Sequence, residues 1–257
     1  MAPKVKSSSK KFGTNPPVSV TQPPKWPPLH PLLSSSDLHI DTLLKDQILV
    51  VPQLWTSTLC KSYVGFLSNL PLVTTPGKPK KGNAVRVNDR YQVDDPRFAE
   101  QLWNSTALRD IVTNTTIDGV TLGEEEKQQL WGGEVLGLNS NIRIYRYKTA
   151  QFFDQHYDES NNIMFQSASS PESVKAKTTW TLLLYLTSPA TGCIGGETVF
   201  YPDPPSKREA TPAPIVAELE VGMALLHRHG QDCLLHEGRE VLAGEKWVIR
   251  SDLCVKR

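Results

Sequence analysis

His156 and Asp158, two residues apart in DQHYD, and the distant His236 in LLHEG are the side chains of this chain best suited to hold a transition metal. On an extended strand, residues two apart leave the same face, so His156 and Asp158 can reach one ion if NIRIYRYKTAQFFDQHYD runs largely as strand. His236 then closes the set from elsewhere in the fold. Two neutral imidazoles and one carboxylate suit Fe(II). Gathered on one side of the ion, they leave the opposite positions open for a chelating co-ligand and dioxygen. The other histidines, His30, His39, His227 and His229, read as hydrogen-bonded structural groups, with the His227–His229 pair at the pocket edge. Lys246, ten residues after His236 in GEKW, adds a flexible point charge that could meet a carboxylate.

A chain of 257 residues, 39% hydrophobic, can bury one core. A formal net charge of +1 supplies no field for a nucleic-acid specialist or an anionic membrane. No run approaches the ~20 apolar residues of a membrane span. The opening MAPKVKSSSKKF has no apolar stretch behind it, which argues against secretion. Cys60, Cys193, Cys233 and Cys254 are widely separated, with no CxxC, so they are expected as free thiols in a cytoplasmic or nuclear protein. Residues 1–35, rich in Lys, Ser and Pro, read as a disordered tail. Within it, Lys10 and Lys11 could serve as a weak nuclear-import signal, or the proline run as a ligand for a proline-reading domain, and neither motif is specific.

The remaining residues, 36–257, read as one domain with two textures. In 36–139, a helical support, DQILVVPQLW reads as strand and TSTLCKSYVGFLSNL as helix with Thr56 as N-cap. AVRVNDRYQV reads as strand, and DPRFAEQLWNSTAL as a helix opened by Asp94 or Asp95 with Pro96 in its first turn. In 140–257 short β-rich runs alternate with turns. This pattern predicts a mainly β fold with flanking helices, best fitted by a double-stranded β-helix, or jelly roll. The ten residues from His236 to Lys246 contain Gly244, which predicts a hairpin setting Lys246 beside residue 241 or 242. In GGET, Gly195 and Gly196 supply backbone freedom at a turn. Arg86, Asn88 and Arg90 could line the pocket entrance or simply form a solvated strand face.

The runs RYKTAQFFDQHYD, TLLLYLT with GGETVFY, VGMALLH, and LLHEGREVLAGEKW resemble, in order and spacing, the catalytic core of prolyl 4-hydroxylase-type 2-oxoglutarate/Fe(II) dioxygenases over residues 140 to 252. The resemblance implies that His156, Asp158 and His236 hold iron and that Lys246 pairs with the far carboxylate of 2-oxoglutarate. Tyr147 would touch the cosubstrate through its hydroxyl, with Thr179 or Thr181 as a second donor. It also implies ascorbate as a candidate auxiliary reductant. Where many relatives carry tyrosine three residues before the first histidine, this chain has Phe153.

The implied reaction is 2-oxoglutarate- and O2-dependent hydroxylation with release of succinate and CO2, on a protein or peptide side chain, prolyl first. Another side chain, a small metabolite or a nucleic-acid methyl group is the alternative within this chemistry. A binding module that keeps the fold without turnover is the alternative outside it, and the intact ligand set with its lysine argues against that.

Overall fold

The computed structural model describes residues 22–75, 84–170, 172–204 and 210–257. A hairpin of β1 (Asp41–Leu44) and β2 (Ile48–Val51) leads into α1 (Ser57–Leu67). Then come β3 (Val73–Thr74), β4 (Arg86–Val87), β5 (Asp89–Asp94), α2 (Pro96–Ser105), α3 (Leu108–Thr113), a small hairpin of β6 (Thr116–Ile117) and β7 (Val120–Thr121), and α4 (Glu124–Trp131). Strands follow: β8 (Val135–Leu138), β9 (Asn141–Lys148), β10 (Phe152–His156), β11 (Asn162–Gln166), β12 (Ser173–Tyr185), β13 (Ile194–Gly195) and β14 (Thr198–Tyr201). The series ends with β15 (Ile215–Ala217), β16 (Ala224–Arg228), β17 (Leu235–Gly238), β18 (Val241–Ala243) and β19 (Glu245–Lys256).

The helix starts follow their local chemistry. The Thr56 hydroxyl accepts the Leu59 amide at 3.2 Å, and the Asp95 carboxylate accepts the Phe98 amide at 3.0 Å, each satisfying an orphan donor of the first turn. Pro96 stands where a missing N–H costs nothing.

Two antiparallel sheets carry the fold among the described residues. The larger runs β1-β2-β16-β12-β19-β9-β5-β3, with β11 beside β12 and β8 beside β19; the smaller runs β15-β14-β17-β10-β4. This is the jelly roll expected. The central strands of the large sheet are buried on both faces, so they alternate between two apolar clusters rather than between core and water. Leu49, Val51, Ile142, Ile144, Trp247 and Ile249 pack toward the helices with Tyr63, Phe98 and Leu102. Their strand neighbours Ile48, Val50, Tyr145, Tyr147 and Val248 join Phe200 of the small sheet in the second cluster.

Two expectations about organisation need correction. The helical support read over residues 36–139 is not an outer layer alone, because β1, β2, β3, β5 and β8 extend the large sheet on both sides. Nor does the tail end at residue 35. The Trp26 indole stacks on Phe98 at 3.9 Å and donates to Asp95 at 2.7 Å, while the carbonyls of Pro27 and Pro31 accept from the Tyr63 and Thr56 hydroxyls. Proline density forbids helix and ladder bonding, but an extended proline-rich chain can still bury an indole and offer its carbonyls. Residues 1–21 of the expected tail, with Lys10 and Lys11, lie outside the described residues.

Candidate metal and cosubstrate site

Strand register assembles the site between the two sheets. His156, the last residue of β10, is the direct cross-strand partner of His236 on β17, and Phe200 of β14 faces His236 from the other side. Asp158 lies two residues past the end of β10, and its amide donates to the Cys233 sulfur at 3.2 Å. One ligand atom from each of His156, Asp158 and His236 lies within 4.8 Å of the others.

The imidazole tautomers follow from the hydrogen bonds. His156 Nδ1 faces the Asp154 carbonyl at 2.8 Å and His236 Nδ1 faces the Leu234 carbonyl at 2.9 Å. A carbonyl can only accept, so each Nδ1 carries the proton and each Nε2 presents a lone pair. Both Nε2 atoms point to the Asp158 carboxylate, His156 at 3.8 Å from Oδ1 and His236 at 3.8 Å from Oδ2. Burial, and then the neighbouring His236, push the His156 pKa down to about 4, so its imidazole is neutral and available. Burial alone would raise the Asp158 pKa, but the Arg250 guanidinium 2.9 Å away and the surrounding imidazoles hold it well below the usual carboxylate range. The donor set and its protonation states fit a divalent transition metal.

Behind Asp158 runs a chain of donors. The Asn161 amide donates to Thr178 Oγ1 at 3.0 Å, Thr178 Oγ1 is 2.9 Å from His229 Nε2, His229 Nδ1 is 3.0 Å from Thr181 Oγ1, and Thr181 Oγ1 donates to Asp158 Oδ2 at 2.9 Å. Both nitrogens of His229 are therefore engaged, and the chain fixes the carboxylate's rotation. His227 behaves differently. Its Nδ1 faces the Arg228 carbonyl at 3.2 Å, while its fully buried Nε2 has no hydrogen-bond partner and lies 3.7 Å from Asp158 Oδ2. His227 is thus a third imidazole aimed at the ligand cluster rather than the pocket-edge residue expected. An HxH on a strand puts both histidines on one face, and only the distance to Asp158 tells them apart.

His227, Cys233 and His236 form a second possible donor group. It suits a metal less well. Burial pushes the Cys233 thiol up to about 11, and the His236 atom nearest that sulfur is the Nδ1 already committed to Leu234.

Lys246 sits opposite Tyr147 across the β9–β19 ladder, not beside residue 241 or 242. The turn at Gly244 does not close a β18–β19 hairpin, because β18 pairs with β13 and frees β19 to join the large sheet. The buried lysine Nζ lies 5.5 Å from the Tyr147 ring centroid and 5.3 Å from that of Tyr185, and donates to the Gly196 carbonyl at 2.6 Å. No carboxylate lies within ion-pair distance of it among the described residues. A Cβ on Gly196, whose φ is +78°, would stand 3.2 Å from the lysine Cδ, so the second glycine of GGET leaves room for the lysine stem. Lys246, Tyr147, Thr198, His156, Asp158 and His236 line one pocket.

Thr179 is a correction. Its hydroxyl donates to the Trp131 carbonyl at 2.7 Å and it lies away from that pocket, because a bulge between Thr178 and Trp180 shifts the register. Sequence reasoning missed Thr198, which bonds the Tyr185 hydroxyl at 2.7 Å, and Arg250 as the partner of Asp158. Thr198 directly follows GGE and was visible as part of that motif.

Residues 142–251 match the family model described as the 2OG-Fe(II) oxygenase superfamily. The chain carries a segment that matches this superfamily. It is a dioxygenase, an oxidoreductase that uses Fe(II) and 2-oxoglutarate. Among solved structures, this oxygenase is similar to a prolyl hydroxylase from Trichoplax adhaerens in complex with a hypoxia inducible factor oxygen degradation domain peptide fragment. The TM-score is 0.53 at 12% identity, over 81% of this chain and 84% of that one. It is also similar to an oxidoreductase of the 2OG-Fe(II) oxygenase family from Burkholderia pseudomallei, with TM-score 0.50 at 14% identity, over 83% and 87% of the two chains. At these identities the likeness is one of fold. No curated protein sequence matches the chain.

The oxygenase's lysine carries a pH prediction. Burial pushes the Lys246 pKa down to about 8, against the opposing pull of Cys193 and Glu197. A pKa lowered below the ordinary lysine value means that the ammonium form is complete below about 8 and is lost as pH rises through it. If the ammonium binds a carboxylate of 2-oxoglutarate, the dissociation constant stays flat below that pH. It then climbs by up to about tenfold per unit above it. Calorimetric titrations of 2-oxoglutarate from neutral to alkaline pH check this, and a flat alkaline limb would exclude Lys246.

Proposed function

We propose that this oxygenase hydroxylates an aliphatic side chain of a protein or peptide, with proline as the first choice, and that His156, Asp158 and His236 hold its iron. The observation that carries the reading is the pairing, in one pocket, of convergent imidazole Nε2 atoms around Asp158 with a buried ammonium, Lys246, that has no carboxylate partner among the described residues. A buried, unpaired ammonium is costly unless a ligand supplies the anion.

When bound, Fe(II) with 2-oxoglutarate supplies dioxygen activation, and oxidative decarboxylation releases succinate and CO2. The chain's own residues do the rest. Lys246 holds the far carboxylate of the five-carbon acid, with the Tyr147 hydroxyl and the Thr198–Tyr185 pair beside it. The Asp154 and Leu234 carbonyls hold both ligand imidazoles as Nδ1–H tautomers. The Thr181–His229–Thr178 chain and Arg250 keep Asp158 ionised and oriented. Phe153 stacks on His156 with ring centroids 3.6 Å apart and shields its outer face from water. The phenol missing from Phe153 is thus replaced by a packing role.

A peptide-sized substrate is supported by the open groove into which the pocket leads, about 1220 Å3 and shared along Tyr145, Phe153, His156, Asp158 and Arg250. Pockets for small ligands usually measure about 300–1,000 Å3. The Trichoplax fold neighbour, which holds a peptide, supports the same choice.

Adding Fe(II) and 2-oxoglutarate without oxygen is expected to give the weak visible charge-transfer band of the chelate. Folded protein that binds Fe(II) yet shows no band would overturn the reading.

A further inference from the structure

Four arginines, Arg86, Arg90, Arg143 and Arg250, line the groove outside the metal pocket, against two carboxylates, Asp158 and Glu159. They are not equivalent. Arg250 pairs with Asp158, and Arg143 pairs with the buried Asp252, so both are neutralised inside the fold. Arg86 and Arg90 have no carboxylate within ion-pair distance among the described residues. Arg90 is held by the side-chain carbonyl of Gln92. Arg86 lies over two rings, 5.0 Å from the centroid of Phe153 and 5.8 Å from that of Tyr145.

Position makes these two charges pointed. Arg86 is the cross-strand partner of Phe153, and Phe153 in turn stacks on His156, so a guanidinium, a phenyl ring and a ligand imidazole form one pile at the pocket mouth. Arg90 stands across from Tyr145 on the β5–β9 ladder. Asn88, expected beside them, instead turns inward and is fully buried, accepting from the Thr75 hydroxyl at 3.1 Å. A solvated strand face would hold its charges in open water, but both arginines are half-buried. Burial lowers the Arg90 pKa, and Arg86 and Arg143 crowd it further with like charge. Two partly desolvated guanidiniums lining one groove, with no carboxylate partner among the described residues, form a site for an anion. The chain as a whole carries only +1, so this concentration is local rather than a general surface bias.

We propose that Arg86 and Arg90 select an acidic substrate: a peptide segment whose Asp or Glu side chains seat on the two guanidiniums while the neighbouring residue to be oxidised enters the pocket. A polyphosphate backbone is the poorer fit. It carries one charge per ~1.7 Å in a duplex, a density that two guanidiniums cannot match. This inference rests on the function proposed above.

The test uses the full chain loaded anaerobically with Fe(II) and 2-oxoglutarate, and reads fluorescence anisotropy. The probes are a short labelled peptide with one proline among glutamates and aspartates, its counterpart with lysine at every acidic position, and labelled oligothymidylate. The acidic peptide is expected to bind at least about tenfold tighter than the lysine peptide. The preference should vanish in Arg86→Gln/Arg90→Gln, while that variant keeps the chelate band and its melting temperature. Single variants provide the readout if the double variant unfolds, each losing part of the preference. Equal or absent binding of the two peptides with the band intact overturns the acidic-substrate inference and leaves the oxygenase reading standing. So does a preference that survives the variants, or tighter binding of oligothymidylate. Loss of the band in the unaltered protein strikes the oxygenase reading instead.

Discussion

His236→Ala is expected to lower conversion of 2-oxoglutarate to succinate by more than about 1000-fold, whereas His229→Ala leaves a measurable rate. The contrast comes from what each ring does with its nitrogens. His236 commits Nδ1 to the Leu234 carbonyl and presents Nε2 to the centre, where no other group of the chain holds it. Removing it takes away one of the three proposed protein ligands, a loss of transition-state stabilisation of about 4 kcal/mol or more. His229 has both nitrogens engaged by threonine hydroxyls and reaches Asp158 only through Thr181. Losing such a supporting contact costs about 10–100-fold. Succinate release under matched iron loading, with melting curves to check folding, separates the two. Equal rates in both variants, or a more severe loss in His229→Ala, would remove His236 from the ligand set.

Lys246→Met is expected to weaken 2-oxoglutarate binding by about 30-fold or more, since truncating one partner of a buried charge pair costs about 2–5 kcal/mol. Methionine keeps much of the stem that packs over Gly196 while removing the ammonium. The fold should therefore survive, because the lysine contributes an uncompensated buried charge rather than an ion pair to the free protein. The alkaline climb of the dissociation constant should disappear in the same variant. Fe(II) binding measured without 2-oxoglutarate should change little, as the lysine touches none of the three proposed ligands. A variant that binds 2-oxoglutarate like the original protein would place the carboxylate on Arg250, the other buried cation of the pocket.

The cost of misplacing a strand shows where sequence reading stopped. That the HxD pair, the distal histidine and the lysine would share one pocket was legible from the order of their segments, and the helix starts at Thr56 and Asp95 because capping depends on neighbouring residues alone. Thr179 and Thr181 look alike in TTWTLLLYL, since the bulge that sends one to Trp131 and the other to Asp158 is set by pairing with β19. The hairpin expected at Gly244 failed for a related reason. A glycine in a turn announces a reversal, but not which strand waits on the far side.

The sequence by itself determined the kind of chemistry and the β-rich class, because these depend on residue identity and short-range spacing. Tertiary structure alone decided three matters of long-range geometry. It aimed the His227 lone pair at Asp158 while engaging both nitrogens of His229. It set Lys246 against Tyr147 rather than its own turn. It gave Arg143 and Arg250 buried carboxylate partners while leaving Arg86 and Arg90 without any among the described residues. Side-chain partners separated by tens to more than a hundred positions meet only when the sheets close, and their distances and desolvation are properties of that closure.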